Sequence, residues 1–232
     1  MAILERLSNQ WFLIKEKKHL QVWHRVIGLY VLALILWGFF RLLSPLPIWI
    51  EEVFVKALVL GLPVFYVTLK KEKSDLSSLG IGTKNFFESV YLGLSLGAFF
   101  WFFGQISNFI RNKGALTFKE IQPTSSDFGG FLLLALITAW WEELLFMGFI
   151  LNRLTKVVSE EWKAVMVTSM MFCLMYIPNM IVKGVSIWQM LLQVILLFSL
   201  GLGNSILMLR TKNLIAPILS HALWGAMIYV FI

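Results

Sequence analysis

The chain has 232 residues, of which 59% are hydrophobic and 14% are charged, whereas a soluble domain is about 45–50% apolar and about 25% charged. This composition excludes an ordinary soluble enzyme and a disordered chain, and its roughly 137 apolar residues nearly match the ~140 positions of seven membrane helices. One cysteine, Cys173, excludes a disulfide framework and a multi-thiolate metal site. The net charge of +7, with no basic tract longer than Lys70–Lys71, favours anionic lipid over nucleic acid as a partner.

Residues 1–25 form a basic arm that precedes the first apolar run. Its five Lys and Arg residues alternate with aromatic and aliphatic residues, which is typical of an amphipathic helix lying in the membrane interface. A solvated basic tail is the alternative. The arm is not a cleavable signal peptide, because the apolar run after it is too long and no small-residue cleavage site ends it.

Hydropathy predicts an all-α, polytopic membrane protein in which residues 26–232 form a single transmembrane domain. The seven predicted spans are Val26–Leu43, Ile48–Leu69, Phe87–Ile110, Gly129–Leu151, Ala164–Ile181, Ile187–Leu209 and Leu214–Ile232. Glu51, Glu52 and Lys56 fall in the first turns of the second span. We expect these charges to snorkel to the near interface.

The distribution of Lys and Arg predicts the orientation. With the N-terminus inside, 14 of the 20 Lys and Arg residues lie on the inner side and six lie on the outer side. The positive-inside rule therefore predicts a cytoplasmic N-terminus and, with an odd number of spans, an external C-terminus in the cell membrane.

Glu142 and Glu143 lie deep in the fourth span. An intramembrane carboxylate costs about 2.5 kcal/mol or more, so it is usually paired, protonated or functional. Adjacent helical residues diverge by about 100°, so one carboxylate can face a cavity while the other faces a neighbouring helix. A buried, hydrogen-bonded packing pair is the structural alternative.

Polar groups in three further spans lie at similar depth. At 1.5 Å per residue, Glu142 is about 14 Å from the inner end of its predicted span and His221 is about 10 Å from the inner end of its own. Tyr176 and Asn204 fall at about 18 Å and 8 Å. This band predicts a water-filled cavity in the cytoplasmic half of the membrane, with Thr138 as a further candidate lining residue. Read alone, His221 also fits a hydrogen-bonded core residue.

A carboxylate beside a histidine can activate water, because the carboxylate takes a proton while hydrogen-bond donors receive the developing oxyanion. Peptide hydrolysis then needs no nucleophilic side chain. Ser220 is a poor nucleophile for His221, since neighbours on a helix point apart. A catalytic zinc site usually takes three protein ligands, commonly several His, and the spans hold one His, so we expect no metal cofactor.

Four segments follow one another in a recognisable order. Glu142–Gly148 resembles a Glu-Glu-x-x-x-Arg motif, Ser169–Tyr176 a Phe-x-x-x-His motif, and His221–Gly225 a His-x-x-x-Asn/Asp motif. Gly201–Gly203 with Arg210–Ile218 resembles the stretch before the last motif, and the Leu79-Gly80-Ile81 loop also fits. This order resembles the CAAX-processing and bacteriocin-processing intramembrane proteases, also called the abortive-infection family. The resemblance covers about residues 76–228 and implies a protease-like core at about 128–232.

The resemblance implies roles for Glu142, Glu143 and His221, with Glu142 as the residue that activates water. Three of the six motif positions are altered: the family has Arg where this chain has Met147, His at Tyr176, and Asn or Asp at Gly225. Tyr can donate a hydrogen bond but is not a base near neutral pH. Met147 leaves Glu143 without a cation four residues on, so we expect Glu143 to be protonated or bound to a neutral donor. Arg153 lies ten residues, or about 15 Å, beyond Glu143 along the helix, so it is a poor substitute for the missing arginine.

Three functions fit these features. The first is an intramembrane endopeptidase of the CAAX-prenyl-protease-like type, a glutamate-type hydrolase acting on a membrane-associated peptide or protein. The second is a catalytically impaired relative that acts as a membrane binding, scaffold or immunity protein. The third is a small transporter or proton relay, against which the spans lack repeat symmetry. A metal ion is suggested by family analogy alone, and one intramembrane histidine supports it poorly.

Overall fold

A computed structural model describes residues 2–43, 46–111, 113 and 125–231. Within these ranges all regular secondary structure is helical, as predicted. The helices are α1 (Ala2–Leu43), α2 (Ile48–Lys71), α3 (Phe86–Arg111), α4 (residues 125–154), α5 (Glu161–Leu174), α6 (Ile177–Val182), α7 (Ile187–Thr211) and α8 (Ile215–Phe231), with a 3₁₀ turn at Leu76–Leu79. The predicted loop after the third span lies mostly outside the described residues.

In the described residues, six helical segments are long and apolar enough to cross a membrane, and α8 adds a shorter apolar stretch, Ile215–Met227. Together α5 and α6 form one of the six, Glu161–Val182. The chain is therefore a polytopic membrane protein, as the hydropathy pattern predicts. A turn at Met175 and Tyr176 separates α5 from α6, where Pro178 occupies the first turn of the new helix.

The N-terminal arm and the first span form one uninterrupted helix. α1 has no break at residue 25, and its stretch suited to crossing a membrane begins at His19 rather than at the predicted Val26. A helix of this length measures about 63 Å, roughly twice the ~30 Å hydrocarbon core of a bilayer, so part of α1 must extend beyond the membrane. The position of the arm in the interface, and the division of the chain at residue 25, stay predictions.

The central helix is α4. Of its most apolar stretch, 61% is buried against other helices, compared with 17–39% in the other five spans. It contacts α2, α5, α7 and α8. It runs as an α-helix over Ser125–Glu143, continues with π-helical hydrogen bonding over Leu144–Leu151 and ends with Asn152–Leu154. A π-helical turn is wider than an α-helical one and often occurs at functional sites. Side chains after Glu143 therefore depart from regular α-helical spacing.

Close contacts fix α4 against α2 and against the loop that follows α2. A Cβ atom at Gly61 would lie 2.5 Å from Trp141 Cζ3, so a glycine permits this approach of the two helices. At the other end of α4, the buried Arg153 pairs with Glu72 at 2.8 Å and donates to the Ser78 carbonyl oxygen at 2.8 Å. Arg153 is thus held at the helix end, in agreement with the expectation that it does not replace the missing cation.

Candidate active site

Five polar residues from four helical segments meet in one buried network. His221 lies between the two glutamates: its Nδ1 is 2.7 Å from Glu143 Oε1, and its Nε2 is 3.7 Å from Glu142 Oε2. The Tyr176 hydroxyl donates to Glu142 Oε2 and lies 3.5 Å from His221 Nε2. Asn204 Nδ2 donates to Glu143 Oε1 at 2.8 Å. The polar residues of the predicted band are therefore neighbours in space.

The two glutamates face different helices, as their 100° divergence requires. Glu143 is fully buried against α7 and α8 through Asn204 and His221, whereas Glu142 faces α2 and the turn between α5 and α6. Glu142 is also at the midpoint of the apolar segment Gly129–Leu154, and its depth in the membrane stays a prediction. The side chains contact one another directly, whereas the sequence predicted that they line a water-filled cavity.

A lysine that the sequence did not assign to the site contacts Glu142. Lys56 is 3% exposed, and its Nζ lies 2.5 Å from Glu142 Oε1 and also pairs with Glu52. The prediction that Glu51, Glu52 and Lys56 snorkel to the interface is wrong, because their helix face packs on other helices and each charge has a partner there. Thr138, the further candidate lining residue, reaches the network by donating to Glu52 Oε2 at 2.7 Å.

Four-residue spacings in the sequence indicate which of these side chains share a helix face. Glu52 and Lys56 are four residues apart on α2, and Thr138 and Glu142 are four residues apart on α4, so each pair shares a helix face. The same network reaches α1, where Arg41 pairs with Glu51 and lies 3.9 Å from Glu52. Two charged residues four apart inside an apolar run can therefore indicate a buried pair rather than an interfacial one.

The altered motif positions leave visible traces in the site. Met147 is fully buried and accepts a hydrogen bond from Ser205 Oγ at 3.4 Å. Glu143 Oε2 has no hydrogen-bond partner among the described residues, and its other oxygen is bound by the neutral amide of Asn204. The same oxygen also contacts His221 Nδ1 at 2.7 Å, so Glu143 has both an amide and an imidazole as partners. At Gly225, a Cβ atom would meet Ala135 Cβ at 3.5 Å, an ordinary packing distance.

An aromatic cluster holds the imidazole and the tyrosine. The Phe172 ring is fully buried, with its centroid 5.5 Å from those of His221 and Tyr176 and 5.1 Å from that of Phe146. Phe172 meets Phe146 and His221 edge to face and Tyr176 at a tilt, and edge-to-face pairs at these distances are favourable. Phe172 therefore joins α4, α5 and α8 around the polar network.

Among the described residues, no three His, Cys, Asp or Glu side chains are grouped to hold a metal ion.

Comparison with protein families gives a match over the second half of the chain. The family model described as type II CAAX prenyl endopeptidase Rce1-like matches residues 124–227. This match confirms the resemblance to the CAAX-processing proteases and includes Glu142, Glu143, Tyr176 and His221. Lys56 lies outside the matched segment. Neither the curated proteins nor the solved structures give a match to the chain.

Proposed function

We propose that the protein is an intramembrane endopeptidase of the CAAX-protease-like type, which hydrolyses a peptide bond of a membrane-associated protein or peptide. The observation that carries this proposal is the 3.7 Å separation of Glu142 Oε2 and His221 Nε2. A water molecule within hydrogen-bonding distance of both atoms fits this separation. The match of residues 124–227 to the prenyl endopeptidase family supports the same reaction type.

In the proposed reaction, Glu142 accepts a proton from a water molecule while the oxygen of that water attacks the scissile carbonyl carbon. The protonated His221, through Nε2–H, donates to the developing oxyanion, and the Tyr176 hydroxyl turns from the newly protonated Glu142 to donate to the same oxyanion. Glu143 orients His221 by accepting a hydrogen bond from its Nδ1–H. When the carbon–nitrogen bond breaks, Glu142 returns the proton to the leaving amine, so water is added across the bond and the site is regenerated.

Turnover should be slow, because two motif positions lack the groups that the resemblance implies. Tyr176 offers a hydrogen bond where the family has an imidazole, and Gly225 offers no side chain. The loss of one well-placed catalytic group typically costs about 10²–10⁴-fold in rate. We therefore expect cleavage well below that of a relative with intact motifs.

A second candidate function is favoured by the contacts of Glu142. Both of its oxygens are already bound by the protein, Oε1 by Lys56 and Oε2 by Tyr176. A catalytic water must therefore share Oε2 with the tyrosine. This arrangement favours a relative that binds membrane segments as a scaffold or immunity protein, with the polar network holding its helices together.

The deciding experiment compares cleavage of membrane-associated peptides in liposomes by the wild-type protein, Glu142→Gln and Glu51→Gln. Glu51 is a matched control, because its buried carboxylate pairs with Arg41 at the edge of the network and is separated from Glu142 by Glu52 and Lys56. We expect Glu142→Gln to lose at least about 10²-fold in rate and Glu51→Gln to keep its activity. Equal cleavage by wild type and Glu142→Gln would exclude the glutamate as base. If no variant cleaves, while a membrane partner co-purifies and is released by changes at the site, the binding function replaces the peptidase.

We also propose a cytoplasmic N-terminus and an external C-terminus in the cell membrane, from the excess of Lys and Arg on one side. Single cysteines introduced at Lys71 and Asn112 test this, the second outside the described residues. Cys173, the only native cysteine, is buried, so labelling with a membrane-impermeant thiol reagent should have little background. Lys71 and Asn112 are expected on opposite sides, with a cysteine at Lys183 sharing the side of Asn112. Labelling of Lys71 and Asn112 from the same side would contradict this topology.

A further inference from the structure

We propose that Lys56 is a positioning residue of the candidate site, which holds Glu142 Oε1 so that Oε2 faces His221. This inference rests on the proposed function and adds a residue from α2, a helix outside the matched segment. Lys56 Nζ is 2.5 Å from Glu142 Oε1, while the other oxygen of the same carboxylate lies 3.7 Å from His221 Nε2. The two oxygens of Glu142 are chemically equivalent until such a contact distinguishes them.

Lys56 is itself held in place from two sides. Glu52, one turn earlier on α2, pairs with Lys56, and Thr138 on α4 donates to the same carboxylate of Glu52 at 2.7 Å. Thr138 and Glu142 are one turn apart on α4, so the contacts run from Thr138 through Glu52 and Lys56 to Glu142 and begin and end on the same helix. The ammonium group therefore has little freedom to leave Glu142.

Burial explains why Lys56 and Glu142 must stay paired. Lys56 is 3% exposed and Glu142 is 6% exposed, and a charge in the membrane interior is costly unless it is paired. Removing one partner of a buried pair leaves the other uncompensated. Without Lys56, Oε1 of Glu142 would lose its cation, and the carboxylate would turn so that Oε2 no longer faces His221 beside the Tyr176 hydroxyl.

The experiment compares cleavage by wild type, Lys56→Met, Lys56→Arg and Arg153→Met, with rates expressed per folded molecule. Arg153 is the matched control, because it is a buried cation of 2% exposure that pairs with Glu72 at the far end of α4. A misplaced catalytic group can cost about 10²-fold in rate. We expect Lys56→Met to lower kcat by about this factor with little change in KM, Lys56→Arg to recover most of the loss, and Arg153→Met to keep the wild-type kcat.

Two results of that comparison would overturn the proposal: a wild-type kcat in Lys56→Met, or equal losses in Lys56→Met and Arg153→Met. If the wild-type protein itself cleaves nothing, the proposed function fails, and infrared spectroscopy decides the role of Lys56. The bands that disappear in Glu142→Gln identify the Glu142 carboxyl group. A shift of these bands in Lys56→Met, but not in Arg153→Met, sustains the positioning role, and unchanged bands reject it.

Discussion

Turnover is expected to rise about 10²-fold when Tyr176→His and Gly225→Asn are combined, the lower end of what one well-placed group contributes. The imidazole adds a base-capable group and removes the hydroxyl that occupies Glu142 Oε2. The family resemblance implies that an asparagine at position 225 supplies an amide donor to the oxyanion. The backbone at Gly225 can accept a side chain, since a Cβ atom there meets Ala135 Cβ at 3.5 Å.

Initial cleavage rates in liposomes test this restoration, with Gly225→Ala as the matched control for the second position. Alanine adds the Cβ atom without the amide, so Tyr176→His with Gly225→Ala should gain less than Tyr176→His with Gly225→Asn. The gain should also vanish when Glu142→Gln is added. A double variant no faster than wild type, or one that keeps its gain without Glu142, would contradict the mechanism.

Phe172→Ala is expected to lower the free energy of unfolding by about 3–5 kcal/mol, the usual cost of removing a buried phenylalanine ring. The ring is fully buried and contacts Phe146, Tyr176 and His221. Its loss leaves a cavity beside the imidazole and removes the surface that orients both polar groups. Denaturant titration in detergent measures the free energy, and cleavage per folded molecule measures the effect on the site.

Phe149→Ala separates stability from site geometry. Phe149 is also fully buried, but its ring packs beneath the Arg153 guanidinium, whose Cζ is 4.8 Å from the ring centroid. We expect a similar loss of stability and an unchanged cleavage rate per folded molecule. If the two variants lose cleavage equally, Phe172 does not organise the site.

The sequence predicted the helical fold because a bilayer leaves few alternatives. Backbone groups inside hydrocarbon must be satisfied within the chain, which restricts spanning segments to helices and closed barrels. Polar residues inside apolar runs are costly, so the sequence alone indicates functional or paired roles for Glu142, Glu143, His221, Tyr176 and Asn204. Their motif order added the expectation of a single site.

The contacts of α2 could not be predicted in the same way. Glu52 and Lys56 lie close to the predicted end of their span, where snorkelling explains the presence of charged residues. Hydropathy also carries no information about which helices are in contact. Depth was also estimated for straight α-helices that end at the predicted boundaries. The π-helical hydrogen bonding over Leu144–Leu151 and the turn at Tyr176 depart from that geometry, so depths counted along straight α-helices do not predict which polar groups are in contact.

The central claim is that Glu142 and His221 act on the same water, and the most direct test is a double-mutant comparison of cleavage rates. Groups that act as a unit give non-additive losses when they are removed together. We therefore expect Glu142→Gln with His221→Gln to be no slower than the slower of the two single variants, each losing at least about 10²-fold. A double variant whose loss equals the product of the two single losses, or a Glu142→Gln protein as fast as wild type, would contradict the claim.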